Sequence, residues 1–482
     1  MQEIKMANNA KLASVIVIKG ILENVSPFVI GTGKGDIIDI EIIKDENGNP
    51  YIPATSFVGA LRHFIERNYK EWDKNAWEYF WGSETNNDQG TQSHFIVSDL
   101  RLRNDEDTNL IAVRDGVAID EKKGIAKNQA KYDYEIVNKD LEFELKAEIK
   151  IREGFKDKEN DILKILKTII TELKAGNVYF GAFTTKGFGR FNLKDVKDVS
   201  VLKFDFPDDG LKYLKYLKDG HFQENNLDLN KLDLNKFDML PPCNNNDCNI
   251  TADFSIKSSL IISSYTTDPE YPDKVHIKYN GKNVLTGTPL KGAIRSRAFR
   301  IVNTLCNSNQ EENGDLRKLF GWADTENYKE NKKKIKKSRV IINESIIEND
   351  EVIEKEQTRI KIDRFTGGTI LGALFQSKPL WHNNENIRLK IKIKEAQEWE
   401  VGLLLLVLKD LWNEDLPIGG EKNIGRGVLR GKKIEIAYKG KTYTISRNED
   451  DNNIDKVIVN GDKDELEGFV KNLLEKLSIA GC

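Results

Sequence analysis

IPATSFVGALRHF (52–64) and LTGTPLKGAIRSRAF (285–299) are the two stretches on which the reading of this chain turns. Each begins with a Thr/Ser/Pro start signal and continues with apolar residues at helical spacing, so each predicts a helix. Aligning Gly59 with Gly292 gives an offset of 233, and further matches follow in the same order on either side. Upstream, Asp39 in DIEIIKDENGNP corresponds to Asp273 in DKVHIKYNGKN. Downstream, Gly82 matches Gly321, and Ser93 in SHFIVSDLRL matches Ser338 in SRVIINESII. Asp120 in VAIDEKKGIAKNQA then matches Asp363 in IKIDRFTGGTILGA, and Gly187 in GAFTTKGFGR matches Gly425 in GGEKNIGRG. Offsets that stay between 233 and 245 while preserving order mark a tandem duplication of one domain of roughly 200 residues.

Short alternating runs such as SVIVIKG, FIVSDLRL, RVIINESII and LKIKIKEA predict strands. DILKILKTIITELKAG and EWEVGLLLLVLKDLW supply a second helix in each copy, just before a glycine loop. The order strand, helix, strands, helix, strand fits an α+β fold of ferredoxin-like (RRM-like) units rather than a doubly wound sheet. The expected domains are 1–200 and 251–440, joined by a linker at 201–250, with 441–482 a C-terminal extension ending in a helix.

Of the 482 residues 39% are hydrophobic and 31% charged, a chain this long can bury sizeable cores without disulfides or metals, and four cysteines do not make a disulfide scaffold. No run of ~18 apolar residues would span a bilayer, and the N-terminus lacks a signal-peptide pattern, so a cytoplasmic protein without membrane partners is expected. The formal net charge of -3 argues at first against nucleic acid. Residues 201–250 hold 6 basic and 9 acidic side chains with eight asparagines, so this acidic, Asn-rich linker carries the whole imbalance. Basic groups gather instead at the glycine loops, the helix starts and NKKKIKKSR (331–339).

Both glycine loops read G-x5-G-x-G, with Gly187 and Gly189 beside Lys186 and Arg190, and Gly425 and Gly427 beside Lys422 and Arg426. Such loops let backbone amides approach phosphate oxygens, although they serve equally as turns into a last strand. At the helix starts, Thr55 or Ser56 and Thr288 are candidate caps, and Arg62, Lys291 and Arg295 could add charge-assisted phosphate contacts. Segments 112–137 and 358–381 suit protruding hairpins, with Tyr132, Tyr134, Phe365, Leu374, Phe375 and Trp381 as possible platforms for splayed bases. Asp39 and Asp273 could bind a divalent cation or orient a hydroxyl, or could simply be turn residues. Cys243 and Cys248 have zinc-ligand spacing but no second pair close by in sequence.

IPATSFVGALR and LTGTPLKGAIRSR resemble the "IPGSSLKGAxR" helix opener of the RAMP superfamily found in CRISPR systems, and GAFTTKGFGRF and IGGEKNIGRGVL resemble its C-terminal glycine loop. RDGVAIDEKKGIAKNQAKYDYEIV and RIKIDRFTGGTILGALF are similar to the "thumb" of backbone subunits of type III effector complexes. The resemblance implies two RAMP domains that hold CRISPR RNA through its sugar-phosphate chain, alongside other RAMP subunits, while base pairing reads a complementary target RNA. The guide contacts it implies are Thr55, Ser56, Gly59, Thr288, Lys291, Gly292 and the glycine loops. In the thumbs it points to Asp120, Lys123 and Lys127 of the first copy and Phe365, Thr366 and Phe375 of the second. It further implies cleavage of the target beside Asp39 and Asp273 with a divalent cation such as Mg. Departures are Ala54 and Val58 in the first opener, Thr286 and Pro289 in the second, and the absence in the second copy of a partner for Asp45 in the D-x5-D run of the first. A non-catalytic end-capping RAMP subunit, a repeat-processing endoribonuclease and a structural tandem-repeat protein are the alternatives.

Overall fold

The computed structural model describes residues 11–33, 38–83, 90–103, 109–120, 125–194, 200–219, 230–243, 246–265, 272–279, 281–306, 314–322, 336–347, 352–381, 387–447 and 457–479. Two compact units divide the chain: Met1–Gly116, Tyr132–Thr184 and Phe188–Asn244 form one, and Val117–Lys131, Thr185–Gly187 and Asn245–Cys482 the other. Among the described residues no helix is long and apolar enough to cross a membrane.

The first copy runs β1 (Leu12–Asn24), α1 (Ala54–Asn68), α2 (Lys74–Trp81), β2 (Phe95–Val97), the hairpin β3 (Ile111–Ile119) and β4 (Ala126–Val137), β5 (Glu142–Arg152), α3 (Glu159–Lys174) and β6 (Phe191–Leu193). Its sheet has the order β2-β5-β1-β6, with antiparallel pairing throughout. That is the ferredoxin-like arrangement, with the hairpin inserted between the second and third strands of the sheet. Ile16, Ile18 and Leu22 of β1 share a core with Phe57, Leu61 and Ile65 of α1 and Ile162, Leu166 and Ile169 of α3.

VIVI (15–18) is a continuous apolar run, and the structure gives the reason: β1 is covered on both faces. Val15 and Val17 meet Leu202, Phe204 and Tyr213, which belong to β7 (Ser200–Asp205), paired antiparallel with β1, and α4 (Gly210–Asp219). The start of the expected linker is therefore part of the first domain. Its later part packs as well: Leu234 and Leu240 are buried in the α3 core, and the Leu240 amide donates to Thr168 Oγ1 at 2.9 Å. Asn/Asp density suggested a connector, but a few apolar residues at the right register suffice to cover an exposed sheet and helix face.

The second copy repeats the plan with β8 (Cys248–Ile256), β9 (Lys274–His276), α5 (Gly287–Leu305), α6 (Gly314–Phe320), β10 (Val340–Ile342), the hairpin β11 (Gln357–Ile362) and β12 (Thr369–Lys378), β13 (Ile387–Ile393), α7 (Glu398–Trp412) and β14 (Leu429–Tyr438). Its sheet order β10-β13-β8-β14 matches that of the first copy, and β15 (Lys441–Arg447) and β16 (Val457–Asn460) continue it. The C-terminal residues are thus not a separate appendage. Their helix α8 (Lys463–Ile479) buries Leu466, Phe469 and Leu473 in the core that also holds Val401, Leu404 and Leu408 of α7. This explains why α7 is apolar nearly all round: it lies between the sheet and α8.

Candidate functional site

Asp39 and Asp273 come to equivalent places. Each is exposed and stands one residue before a parallel pairing with the second strand of its own hairpin, Ile40 with Tyr134 in one copy and Lys274 with Ser377 in the other. In each, carboxylate Oδ2 accepts the backbone N–H of the residue just before that pairing, Asp133 at 3.1 Å and Gln376 at 2.9 Å. Five residues on, a lysine is also tied down. Lys44 Nζ lies 2.9 Å from Glu135 Oε1, and Lys278 Nζ 2.5 Å from Glu354 Oε1. Asp45, by contrast, is a turn residue: its Oδ1 accepts the amides of Asn47 and Asn49, and Arg101 lies 3.5 Å from its Oδ2.

The helix starts differ from the expected caps. Thr55, Ser56 and Thr288 lie inside their helices, whose N-cap residues are Pro53 and Thr286, and neither cap residue makes a side-chain cap bond. In α1 the first amide, that of Ala54, is held instead by Asp99 Oδ1 at 2.8 Å, a contribution from after β2 that no local pattern announces. In α5 the Thr288 hydroxyl oxygen is buried and makes no hydrogen bond among the described residues. Gly59 and Gly292 are both exposed, and a Cβ built on either meets nothing within 4 Å. Glycine costs an exposed helix about 1 kcal/mol relative to alanine, so here it is kept at a price that packing within the chain does not explain.

The basic residues differ in burial and in the groups they meet. Arg62 is partly exposed and reaches Glu66 at 3.0 Å and the Gly82 carbonyl at 3.4 Å. Arg295 lies over the Phe299 ring at 5.5 Å. Lys422 is exposed on the short turn Lys422–Ile424, and Lys186 is half-buried. Lys291, expected as a phosphate contact, is buried instead, and its Nζ donates to the Val340 carbonyl at 2.9 Å. Burial, helped by positive neighbours including Arg295, brings its pKa down to about 7. Arg426 is likewise buried, with Nε 3.0 Å from Glu421 Oε2 and Nη2 2.6 Å from Gln357 Oε1, so it fastens the glycine loop to the hairpin root. Arg190 Nε is spent on the Gly176 carbonyl at 3.1 Å.

The glycine loops superimpose in their hydrogen bonding. Phe180 donates to the Gly189 carbonyl and Ile418 to that of Gly427, at 2.8 and 2.9 Å, and Ala182 and Gly420 donate to Val29 and Ile261 at 2.7 and 2.8 Å. Gly189 and Gly427 have φ of 76° and 83°, and a Cβ there would stand 1.9 and 1.8 Å from a carbonyl oxygen, so both are structural. At Gly425 φ is 83° but no atom would meet a Cβ, which leaves its surface open. Gly187 also has a positive φ, 92°.

In the hairpins, the amides of Asp120 and Asp363 donate to the carbonyls of Ile125 and Gly368, five residues on in each copy, at 2.8 Å. Asp363 also accepts from Phe365, Thr366 N–H and Thr366 O–H, which pulls its pKa down. Phe365 and Leu371 are fully exposed, 100% and 101%, and Leu374 and Phe375 about half exposed, 56% and 50%. Lys127 is exposed, and Lys123 lies outside the described residues. Tyr134 is not a platform: it is buried and packs against Phe183, and Trp381 is half-buried in a strand paired to Ser259. Tyr132 stacks on Tyr134 at 5.8 Å.

Cys248 is fully buried at the start of β8, and burial pushes its thiol up to about 12, opposing the thiolate that zinc requires. Among the described residues no three His, Cys, Asp or Glu side chains gather as a metal site. Cys243 is partly exposed, with its amide on the Asn68 carbonyl at 2.8 Å. Of the basic run 331–339, residues 331–335 lie outside the described residues, and Arg339 is committed to Glu400 and to the Glu395 carbonyl.

Two ferredoxin-like domains in tandem, each with a hairpin between its second and third strands and a glycine-kinked loop before its fourth, define the class of protein. The family model of the RAMP superfamily matches residues 21–192 and 253–430, and the chain belongs to that superfamily. Membership supports a CRISPR-associated RNA-binding role, with CRISPR RNA and other CRISPR-associated proteins as partners. No curated protein matches the chain.

Proposed function

We propose that the chain is a fused double backbone subunit of a type III CRISPR ribonucleoprotein, which holds a guide–target duplex and cuts the target RNA at up to two sites. The observation that carries this reading is the recurrence, in both copies, of an exposed aspartate fastened to the root of an exposed hairpin. The hairpin tips, above all Phe365 and Leu371, offer apolar surface on which an unstacked base would lie. Gly59 and Gly292 leave bare helix backbone open to a sugar-phosphate chain. A nucleotide pushed out of the duplex frees its 2′-hydroxyl to attack the adjacent phosphate in line. The O2′–P bond forms as the P–O5′ bond breaks, and the 2′ proton passes to the leaving oxygen. In this reading Asp39 or Asp273 orients that hydroxyl through its carboxylate.

A divalent cation such as Mg fits these sites only as a shared ligand. Among the described residues each offers the exposed carboxylate of its aspartate, and Mg is commonly held by one or two carboxylates plus substrate phosphates and water. Asp39 and Asp273 would hold it, and it would supply charge stabilisation at the phosphate.

The test is to purify the chain with co-expressed partners, sequence any bound small RNA, and challenge the complex with complementary RNA. Asp39→Ala and Asp273→Ala should each remove one set of products and leave target binding unchanged. Products that survive both changes would leave the end-capping or processing alternatives, and an RNA-free preparation would refute guide binding. Affinity for single-stranded RNA should fall with salt at a slope of about −0.7 per neutralised phosphate.

A further inference from the structure

We infer that each hairpin positions its cutting aspartate through the main chain, so that seating the hairpin in the target sets the carboxylate beside it. This rests on the function proposed above and extends it from which residue cuts to what orients that residue. Three contacts carry the argument, and each occurs in both copies. The first is the bond from the Asp133 or Gln376 amide to Oδ2 of Asp39 or Asp273. The second is the parallel pairing that begins at the next residue, Ile40 with Tyr134 and Lys274 with Ser377. The third is the carboxylate that grips the lysine five residues after each aspartate. Glu135 of β4 serves in one copy and also accepts the Ile42 amide at 3.0 Å. Glu354, ahead of β11, serves in the other and also meets Lys378 of β12 at 3.2 Å.

The aspartate segment and the hairpin root are therefore held to each other at several points. An exposed aspartate has no packing of its own to select a side-chain rotamer. A charge-assisted bond from a fixed amide supplies that selection and leaves the second oxygen for the RNA. The donor is a backbone group, so the side chain at the donor position is free to differ, and it does: aspartate in one copy and glutamine in the other.

The experiment replaces the Gln376 peptide N–H by an ester oxygen in the assembled complex, with Gln376→Pro as the genetically encoded counterpart. The first site serves as internal control for folding, since Asp39 and its hairpin are untouched. Cleavage at the second site should fall by about 10- to 150-fold, the range for losing a hydrogen bond to a charged group, while target affinity and first-site products stay unchanged. The Asp133 ester should do the converse. A second readout needs no cleavage: hydrogen exchange of the Gln376 amide should speed up in Asp273→Ala and stay slow in Asp273→Asn, which keeps an acceptor. Second-site cleavage within twofold of the unmodified rate in the ester, when Asp273→Ala abolishes it, would overturn this inference and leave the proposed function standing. Second-site products that persist in Asp273→Ala would overturn both.

Discussion

Replacing Gly59 or Gly292 by alanine tests whether a ligand, rather than the fold, requires these glycines. Both lie within the first two turns of long helices, and a Cβ at either position meets no atom within 4 Å. The change in folding energy therefore reduces to helix propensity, a gain of about 0.8–1.0 kcal/mol per site. For a domain of this size that raises the melting temperature by about 2–4 °C. An RNA backbone lying against the bare helix would meet the new methyl group. Overpacking of that kind costs about 1–3 kcal/mol, or about 5- to 150-fold in affinity. Calorimetry of each variant and fluorescence anisotropy with guide RNA read the two effects separately. A more stable protein that binds RNA as before would refute the close-approach argument. A less stable protein would refute the claim that these helix faces are open.

The structural glycines should behave oppositely: Gly189→Ala and Gly427→Ala force a Cβ into a carbonyl oxygen at positive φ, and each should destabilise its domain by about 2–5 kcal/mol in denaturant titrations. Lys291 gives a pH signature. Its pKa is lowered in the folded state to about 7 against an ordinary 10.5, so between those values the unfolded chain binds more protons and stability should rise with pH. Lys291→Met should flatten that rise in melting curves taken from pH 7.5 to 9.5. An unchanged pH slope would show that the ammonium is solvated after all.

Much of the architecture was legible from residue order alone. The repeat offsets placed two equivalent helices, two glycine loops and two hairpins, and the hydrogen bonds of Gly189 and Gly427 match as that equivalence requires. Asp39 and Asp273 were paired correctly for the same reason. The linker reading failed because composition reports solubility, not register: Leu202, Phe204 and Tyr213 are few, yet they lie where β1 needs covering. Lys291 and Arg426 looked like phosphate ligands because both sit in basic motifs, and only the fold shows that α5 and the glycine loop turn them inward.

What the sequence by itself determined is the duplication, the ferredoxin-like order of elements in each copy and the place of the glycine loops. These follow from local spacing, turn chemistry and the period of apolar residues, all of which are written along the chain. What only the tertiary structure decided is which charges are available and what holds the aspartates. Burial and hydrogen-bond partners depend on residues far apart in sequence, Asp99 with Ala54, Asp39 with Asp133 and Asp273 with Gln376. A backbone amide that orients a carboxylate leaves no mark on the identity of the residue that donates it.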